Sequence, residues 1–474
     1  MKNENPLLLS KNDNIMMMTS EPSGFLNTVD KYILLRDKTV GYFDTDNSLV
    51  IHGEWTEMPL IKTNNNEIEL PNEYKHWMRK EIDDQVNINV LYDPITGLLR
   101  YDNDKILFNM DFIKNCKYLY IIGCGSSYYA GLIASNYFRF SNAFEFVNVF
   151  DGSEFNKSHL ESINNPEKDL LIIMISQSGE TRDLDIATSI CRDFSSNRKN
   201  ILKINPIILN NNDPKLLLLN NKTEVVNNID NNDEIKIIGV INVIDSLISR
   251  RTLDNIYTNS GRENAVAATK SCTSQILSCL LLAIYKSQLN NKLEISLKNK
   301  FFNDLNMLKI NINEVIQLEE KIKSIAHKIN NILNETNNNS LFVLGKEELY
   351  GAALEGALKI KEISYIHAEA HYIAGFKHGV YALVDNKIPV IILYKNRNHF
   401  IKSVIEEIKT RNATIIEISS EAIDNEDNII MPINKTFTGL LSVIVMQLLS
   451  YHLSIIKEIN PDRPRNLAKT CTTD

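Results

Sequence analysis

Short apolar runs alternate with helical stretches from Lys117 almost to the C-terminus, and this alternation limits the possible folds. The runs that resemble buried strands are YLYIIG, FEFVNVF, LLIIMI and IKIIGVINV, followed later by LFVLG, PVIILY and TIIEIS. Helical segments separate most of them, including a long one over 265–334. Parallel strands need such crossovers, so the pattern favours parallel sheets covered by helices. Because it occurs twice, we predict an α/β protein built from two similar units in tandem.

Composition argues against several classes of function. The chain has 474 residues and a net charge of -8, which disfavours nucleic acid or an anionic membrane as the main partner. Its six cysteines show no CxxC pair and no ligand spacing with histidine, so we expect neither a metal site nor a disulfide framework. The longest apolar stretch, SQILSCLLLAIY, is too short to span a bilayer. We predict a cytoplasmic protein without metal or cofactor.

Two loops rich in hydroxyl groups each follow a predicted strand and precede a helix. The first contains Ser126 and Ser127, and the second contains Ser176, Gln177, Ser178 and Thr181. Glycine lets the backbone approach a ligand, and free N–H groups at a helix start favour an anion. These residues could instead only cap their helices. The presence of two equivalent loops favours a bound phosphate monoester. A nucleoside triphosphate is disfavoured, because neither loop carries the lysine of a P-loop.

The segment from Leu354 to Gly379 carries many ionisable groups among apolar residues. On a helix, Glu355, Lys359 and Glu362 fall on one face, because they are spaced by four and three residues. His378 follows in a glycine-containing loop. Carboxylates and imidazoles can move protons near a carbonyl, and an amine can attack one. A solvated helix face with salt bridges is the alternative interpretation.

Taken together, the motifs resemble the isomerase half of the glutamine:fructose-6-phosphate aminotransferases. They occur in order as CGSSYYAG, SQSGETRD, NSGRENAVAATKSCTSQ, LEGALKIKEISYIHAEA, KHG and PRNLAK. The similarity runs from about His76 to Asp474. It implies two tandem SIS-type (sugar isomerase) domains, each a mostly parallel sheet flanked by helices, and a C-terminal tail.

The resemblance also implies roles for individual residues. Glu362 would carry the proton between C1 and C2 of the sugar, Lys469 would form an imine with it, and His378 of a neighbouring subunit would help to open its ring. Lys359 and Glu355 would orient the substrate. The residues expected to bind the phosphate or line the pocket are Ser126, Ser127, Ser176, Gln177, Ser178, Thr181, Ile244, Ser246, Leu467 and Ala468.

The implied domain boundaries follow from the same match. We expect a remnant of a glutaminase domain over 1–75, a linker over 76–100, a first SIS domain over 101–290 and a second over 315–458. An Asn-rich insertion over 209–233 interrupts the first domain. The tail over 459–474 should lack regular structure but carry Lys469.

The chain departs from the family pattern at several places. No cysteine occurs before Cys116, so the glutaminase nucleophile is expected to be absent. Asp245 and Leu247 stand where small residues are usual, and Arg251 replaces an acidic residue. Gly375 takes a position that is usually Glu. These changes concern the shape of the sugar pocket.

We therefore predict conversion of fructose 6-phosphate and ammonia into glucosamine 6-phosphate, the step that leads to UDP-N-acetylglucosamine, without glutaminase activity. A homodimer is implied, and a separate glutaminase chain could supply ammonia. Two alternatives stay open. One is an amino sugar phosphate deaminase or deglycase, and the other is a non-catalytic sugar-phosphate sensor, although a sensor would not need Glu362, His378 and Lys469.

Overall fold

A computed structural model describes most of the chain. The described residues are 7–11, 16–19, 22–25, 28–35, 39–43, 49–53, 55–59, 70–102, 104–163, 165–204, 235–421 and 426–469, without the side chains of 196–204. The predicted Asn-rich insertion over 209–233 lies outside them.

The N-terminal part contains short antiparallel strands. They are β1 (Leu8–Lys11), β2 (Met16–Thr19), β3 (Lys31–Leu35), β4 (Val40–Phe43), β5 (Leu49–His52) and β6 (Trp55–Pro59). Four of them form a sheet in the order β2-β1-β3-β6, and β4 pairs with β5. The segments KYILL and SLVIHG have the composition of strands and contain β3 and β5, whereas the other four strands are short and not clearly periodic in the sequence.

A helix and a small hairpin connect this part to the first sheet. They are α1 (Trp77–Asp84), β7 (Tyr101–Asp102) and β8 (Lys105–Ile106). Asp462, from the C-terminal tail, accepts hydrogen bonds from the backbone N–H groups of Trp77 and Met78, both at 2.8 Å. Free N–H groups at a helix start favour such a carboxylate. The C-terminal tail is thus fastened to the start of α1.

The first α/β domain has a five-stranded parallel sheet in the order β10-β9-β11-β12-β13. Its strands are β9 (Tyr118–Gly123), β10 (Phe146–Asp151), β11 (Leu170–Ser176), β12 (Lys236–Ile241) and β13 (Asp254–Tyr257). Its helices are α2 (Ser126–Phe140), α3 (Lys157–Glu161), α4 (Pro166–Asp169), α5 (Arg182–Ile204), α6 (Leu247–Arg251) and α7 (Lys270–Leu289). All seven residues of β11 are buried, as expected for a central strand covered on both faces.

The second α/β domain repeats this plan with the strand order β15-β14-β16-β17-β18, again parallel. Its strands are β14 (Ser340–Gly345), β15 (His367–Tyr372), β16 (Val390–Leu393), β17 (Ile415–Ser419) and β18 (Asn428–Ile430). Helices α8 (Ile295–Gln317) and α9 (Glu319–Glu335) precede the sheet, and α10 (Glu348–Ser364), α11 (His399–Lys409) and α12 (Thr438–Ile456) follow within it. The predicted fold class of two parallel α/β units is confirmed.

Three local features differ from the sequence prediction or were not part of it. The helical stretch predicted over 265–334 is three helices, the first of which begins only at Lys270. The segment after α10 is not simply a loop, because His367–Tyr372 forms the edge strand β15. Strands β13 and β18 were not predicted, because they are only four and three residues long.

The two domains share one hydrophobic core across helices α2, α7, α10 and α12. Small residues let these helices come close. A Cβ at Gly351 would lie 2.6 Å from a side-chain carbon of Ile133 on α2, and one at Gly356 would lie 2.6 Å from Met446 on α12. Among the described residues, α12 is the one helix long and apolar enough to cross a membrane, but 89% of its apolar window is buried inside the protein.

A buried amide network joins the linker helix to both domains. Gln85, fully buried, donates to the side-chain oxygen of Gln447 at 2.8 Å and accepts from the Thr273 hydroxyl at 2.8 Å. Gln447 also donates to the backbone oxygen of Thr269 at 3.2 Å. No bulk solvent reaches these side chains, so their hydrogen bonds must be made with one another or with the backbone.

We expect Gln85→Ala to lower the free energy of unfolding by about 2 to 4 kcal/mol, because it leaves the buried side-chain oxygen of Gln447 without its donor and removes one acceptor of the Thr273 hydroxyl. Chemical denaturation measures this. The matched control is Gln317→Ala, at an exposed glutamine near the end of α8, which should change stability by less than about 0.5 kcal/mol. Equal effects of the two variants would contradict the assigned role of the network.

Candidate active site

The hydroxyl-rich loops lie at the carboxyl ends of the neighbouring strands β9 and β11 of the first domain. This edge of a parallel sheet is where such folds bind ligands. Gly125, with φ 54°, makes the turn from β9, and Ser126 and Ser127 then form the first turn of α2. The predicted phosphate loop therefore includes the N-terminus of a helix, the part of a helix that favours an anion.

The second loop is held by its own hydroxyl groups. The Ser176 hydroxyl lies 3.1 Å from that of Thr181 and accepts from the backbone N–H of Gly179 at 2.9 Å. The Ser178 hydroxyl accepts from the N–H of Glu180 at 3.1 Å. These bonds fix the loop in a shape that presents several donors to one side.

The loop over 244–247 packs directly against this second loop. Glu180 accepts from the backbone N–H of Leu247 at 2.9 Å. A Cβ at Gly179 would collide with the hydroxyl of Ser246, so glycine is required there for close approach as well as for its φ of 67°. The Ser246 hydroxyl is buried and makes no hydrogen bond to the described residues, which leaves it available to a ligand.

A charged triad extends from the second domain toward these loops. Lys359 on α10 is 1% exposed and lies 2.6 Å from a carboxylate oxygen of Glu362 and 3.5 Å from one of Glu355. Glu355 is fully buried, whereas the side chain of Glu362 is 20% exposed. A solvated helix face, the alternative interpretation of this segment, is therefore wrong: two of the three charged groups lie in the protein interior.

Burial and mutual pairing shift the titration of this triad. Burial raises the pKa of Glu355 to about 7, although Lys359 opposes the shift. Burial alone would lower the pKa of Lys359, but the two carboxylates outweigh it and raise that pKa above its ordinary value. The Ser126 hydroxyl is close enough to favour the charged form of Glu355. The first phosphate loop and the triad thus face each other across the domain interface.

The tail lysine reaches the protein interior. Lys469 donates to the carboxylate of Glu263 at 2.8 Å and to the backbone oxygen of Ala265 at 2.6 Å. Burial would raise the pKa of Glu263, but Lys469 and backbone donors lower it to about 2. Burial, followed by the charge of Glu355, raises the pKa of Cys272 at the start of α7, and Glu263 adds to this shift.

Sequence reasoning missed two acidic residues at this place. Glu263 lies within NSGRENAVAATKSCTSQ, a motif to which no role was given, and Glu81 lies on the linker helix. Burial, followed by repulsion from Glu263, raises the pKa of Glu81 to about 8, and Glu81 accepts from the backbone N–H of Ala265 at 3.3 Å. Glu263, the charge partner of Lys469, is 206 positions away in the sequence, so no local pattern could have identified it.

Several predicted residues are not brought into this cluster. His378 is exposed on the loop after β15, and its backbone N–H donates to the oxygen of Gly375 at 3.0 Å. Leu467 and Ala468 are exposed on the tail. Ile244 is half-buried beside the second phosphate loop. Within the described chain, no group of three or more His, Cys, Asp or Glu side chains is arranged to hold a metal ion.

The unusual residues have identifiable local environments. Arg251 pairs with Asp185 on α5 and donates to the Ser189 hydroxyl at 3.2 Å. Its guanidinium group is therefore bound by side chains of the first domain. Asp245 adopts the left-handed conformation at φ 60°. A Cβ at Gly375 would lie 3.5 Å from Tyr372, an ordinary contact, so its loop has room for a side chain.

Comparison with known proteins defines the class. The SIS domain family matches residues 112–198 and 336–457, one match in each α/β domain. The C-terminal domain of glucosamine-fructose-6-phosphate aminotransferase from Francisella tularensis superposes with a TM-score of 0.64 at 26% identity, covering 84% of this chain and all of that domain. The chain is thus a tandem SIS-domain protein.

Sequence relatives narrow this class. The chain is 33% identical over its whole length to the probable glutamine–fructose-6-phosphate aminotransferase [isomerizing] of Acanthamoeba polyphaga mimivirus, of which it covers 71%. It is 31% identical to the corresponding enzyme of Chlorobaculum tepidum, covering 99% of this chain and 70% of that one. The chain therefore belongs to the isomerizing glutamine–fructose-6-phosphate aminotransferases and corresponds to their isomerase half.

The raised pKa of Glu355 makes the free energy of unfolding depend on pH. The folded protein holds a proton on this group up to about pH 7, whereas the unfolded chain holds it only up to about 4.5. Glu355 therefore contributes stability that is fully present below pH 4.5 and is lost as pH rises through 7. We expect Glu355→Gln to reduce this loss of stability with rising pH, by roughly 3 kcal/mol at most.

Denaturation from about pH 5 to about pH 8 measures this slope. Glu320→Gln is the control, because the Glu320 side chain is 86% exposed and should leave the profile unchanged. An unaltered slope in Glu355→Gln would contradict the raised pKa.

Proposed function

We propose that this chain converts fructose 6-phosphate and ammonia into glucosamine 6-phosphate. The observation that carries the proposal is the buried triad of Glu355, Lys359 and Glu362, which faces the hydroxyl-rich loops of the other domain. A sensor would need only the loops, whereas a buried ion triad costs folding energy that a catalytic role would justify.

In this proposal the loops hold the sugar phosphate and the triad acts on C1 and C2. The backbone N–H groups at the start of α2 and the hydroxyls of Ser176, Ser178 and Thr181 would bind the phosphate oxygens. Glu362, the most exposed of the triad, would take the proton from C1 and return it to C2. Lys359 would hold the carboxylate of Glu362 in place, since the two groups are only 2.6 Å apart.

Lys469 would supply the nucleophile. Its amine adds to the C2 carbonyl and water leaves, which gives an imine; ammonia then adds at C2 and the lysine leaves. The 2.8 Å pair with Glu263 must break before the amine can attack a carbonyl. The side chain of Lys469 is 27% exposed at the end of a tail, so such a movement does not disturb the domain core.

We further propose that ammonia reaches this chain from outside these 474 residues, because no cysteine precedes Cys116. A separate glutaminase chain is one possible source. The product would enter hexosamine synthesis toward UDP-N-acetylglucosamine. A cytoplasmic setting is supported by the five cysteines of the described chain, all of which are free.

A homodimer is also proposed, with His378 acting in the neighbouring subunit's site. Two observations support it: His378 is exposed, and no described residue of its own chain holds its ring. A surface histidine on a glycine-flanked loop can reach a second subunit more easily than the buried triad of its own.

The proposal is tested by measuring glucosamine 6-phosphate formation from fructose 6-phosphate. We expect turnover with ammonium and none with glutamine. Glu362→Gln and Lys469→Ala should each lower kcat by about 100-fold or more, because one removes the proton carrier and the other the nucleophile.

Lys361→Ala is the matched control, because Lys361 is an exposed lysine on α10 beside the triad. Full rates in both active-site variants would contradict the assigned roles. Ammonia release from glucosamine 6-phosphate without the forward reaction would instead favour a deaminase, and sugar binding without turnover would favour a sensor.

Sharing of His378 between subunits predicts complementation. We expect His378→Ala and Lys469→Ala to be inactive alone, but their refolded mixture should recover about one quarter of the wild-type rate, because half of a random mixture is mixed dimer with one intact site. Activity assays after co-refolding measure this. No recovery, although size measurements show mixed dimers, would place His378 in its own subunit's site.

A further inference from the structure

A second cavity lies between the two domains, outside the site described above. It has a volume of about 420 Å³. Its floor is apolar and comes largely from α2 and α7, and its rim carries four lysines, Lys292, Lys300, Lys395 and Lys435. The only acidic residues at its surface are Glu294 and Glu348. The cavity therefore combines an apolar interior with a net positive opening.

This cavity occupies the place in the second domain that the sugar-phosphate site occupies in the first. Strands β9 and β14 both end in glycine, Gly123 and Gly345, and in each case a helix begins three residues later. The neighbouring strands pair in the same register: Ile122, just before Gly123, lies opposite Met174, and Leu344, just before Gly345, lies opposite Ile392. The two domains thus present equivalent edges.

The equivalence identifies the counterparts of the proposed site residues. Glu355, Lys359 and Glu362 are reached by counting along α10 from its first residue, Glu348. The same count along α2 from its first residue, Ser126, reaches Ile133, Tyr137 and Phe140, all of which line the second cavity. Here Glu355, Lys359 and Glu362 correspond to an isoleucine, a tyrosine and a phenylalanine. Proton-transfer groups are therefore replaced by an apolar surface, and no isomerisation is expected there.

The phosphate-loop positions are also replaced, but by charged residues. Glu348 begins α10 where Ser126 begins α2, and Lys395 follows β16 where Gln177 follows β11. Lys395 pairs with one carboxylate oxygen of Glu348. The other oxygen of Glu348 is buried without a hydrogen bond to any described residue, so it is free to accept one from a ligand.

The remaining rim lysines are available to an anion. Within the described chain, the amines of Lys292, Lys300 and Lys435 make neither a hydrogen bond nor a close ion pair. Partial burial lowers the pKa of Lys300, and repulsion from Lys395 and Lys435 lowers it further although Asp304 opposes this. A bound anion would relieve that repulsion.

We propose that this cavity is a second ligand site, which binds a small phosphorylated molecule with an apolar or aromatic part. The phosphate would lie among Lys300, Lys395 and Lys435, the apolar part on Tyr137 and Phe140, and a hydroxyl or amino group would donate to Glu348. The site is non-catalytic.

Calorimetric titration of the full chain with phenyl phosphate and with inorganic phosphate tests the proposal. Phenyl phosphate should bind about tenfold or more tightly than inorganic phosphate, because its ring is buried on the apolar floor. The double variant Lys300→Ala/Lys435→Ala should weaken phenyl phosphate binding by about tenfold. Thr181→Ala, in the sugar-phosphate site, should leave this binding unchanged.

Lys323→Ala is the matched control, at an exposed lysine on α9 that does not line the cavity. Melting temperatures check that every variant is folded. Equal affinity for the two probes would overturn the proposal. So would binding that disappears in Thr181→Ala while the lysine double variant retains it, because the anion would then lie in the sugar-phosphate site.

Discussion

The close packing of α2 against α10 is the contact on which the rest of the molecule depends. Each helix follows the first strand of its own sheet and packs both against its own domain and against the other one. Gly351 on α10 permits this approach, because a Cβ there would meet Ile133 at 2.6 Å. As a result, each helix start lies beside the middle of the other helix, and the two domains form two facing sites between them.

The two sites differ in what this shared geometry presents. In one, hydroxyl-rich loops face a buried lysine between two carboxylates, and the low dielectric of the interior makes these charges interact strongly. In the other, lysines surround an apolar floor. In the proposed functions, the same backbone arrangement would serve proton transfer on one side and binding alone on the other, because chemistry resides in a few side chains rather than in the fold.

The tail and linker tie the first site to the rest of the chain. Asp462 caps α1, and Lys469, seven residues later, pairs with the buried Glu263. Glu81 on the same linker helix is held close enough to Glu263 for its pKa to be raised. Movement of the tail lysine toward a substrate would therefore change the charge balance of the linker helix, which gives the site a physical connection to the N-terminal part.

The sequence by itself determined the alternation of strands and helices, the hydroxyl-rich loops and the single helix face of Glu355, Lys359 and Glu362, because these features follow from local periodicity and spacing. It did not determine the short strands β13 and β18, whose few residues form strands only when a neighbour offers hydrogen bonds. Nor did it reveal the partner of Lys469 or the lysine-rimmed cavity. Glu263 is 206 positions from Lys469, and the cavity joins residues from both domains, so only the tertiary packing of α2 on α10 brought them together.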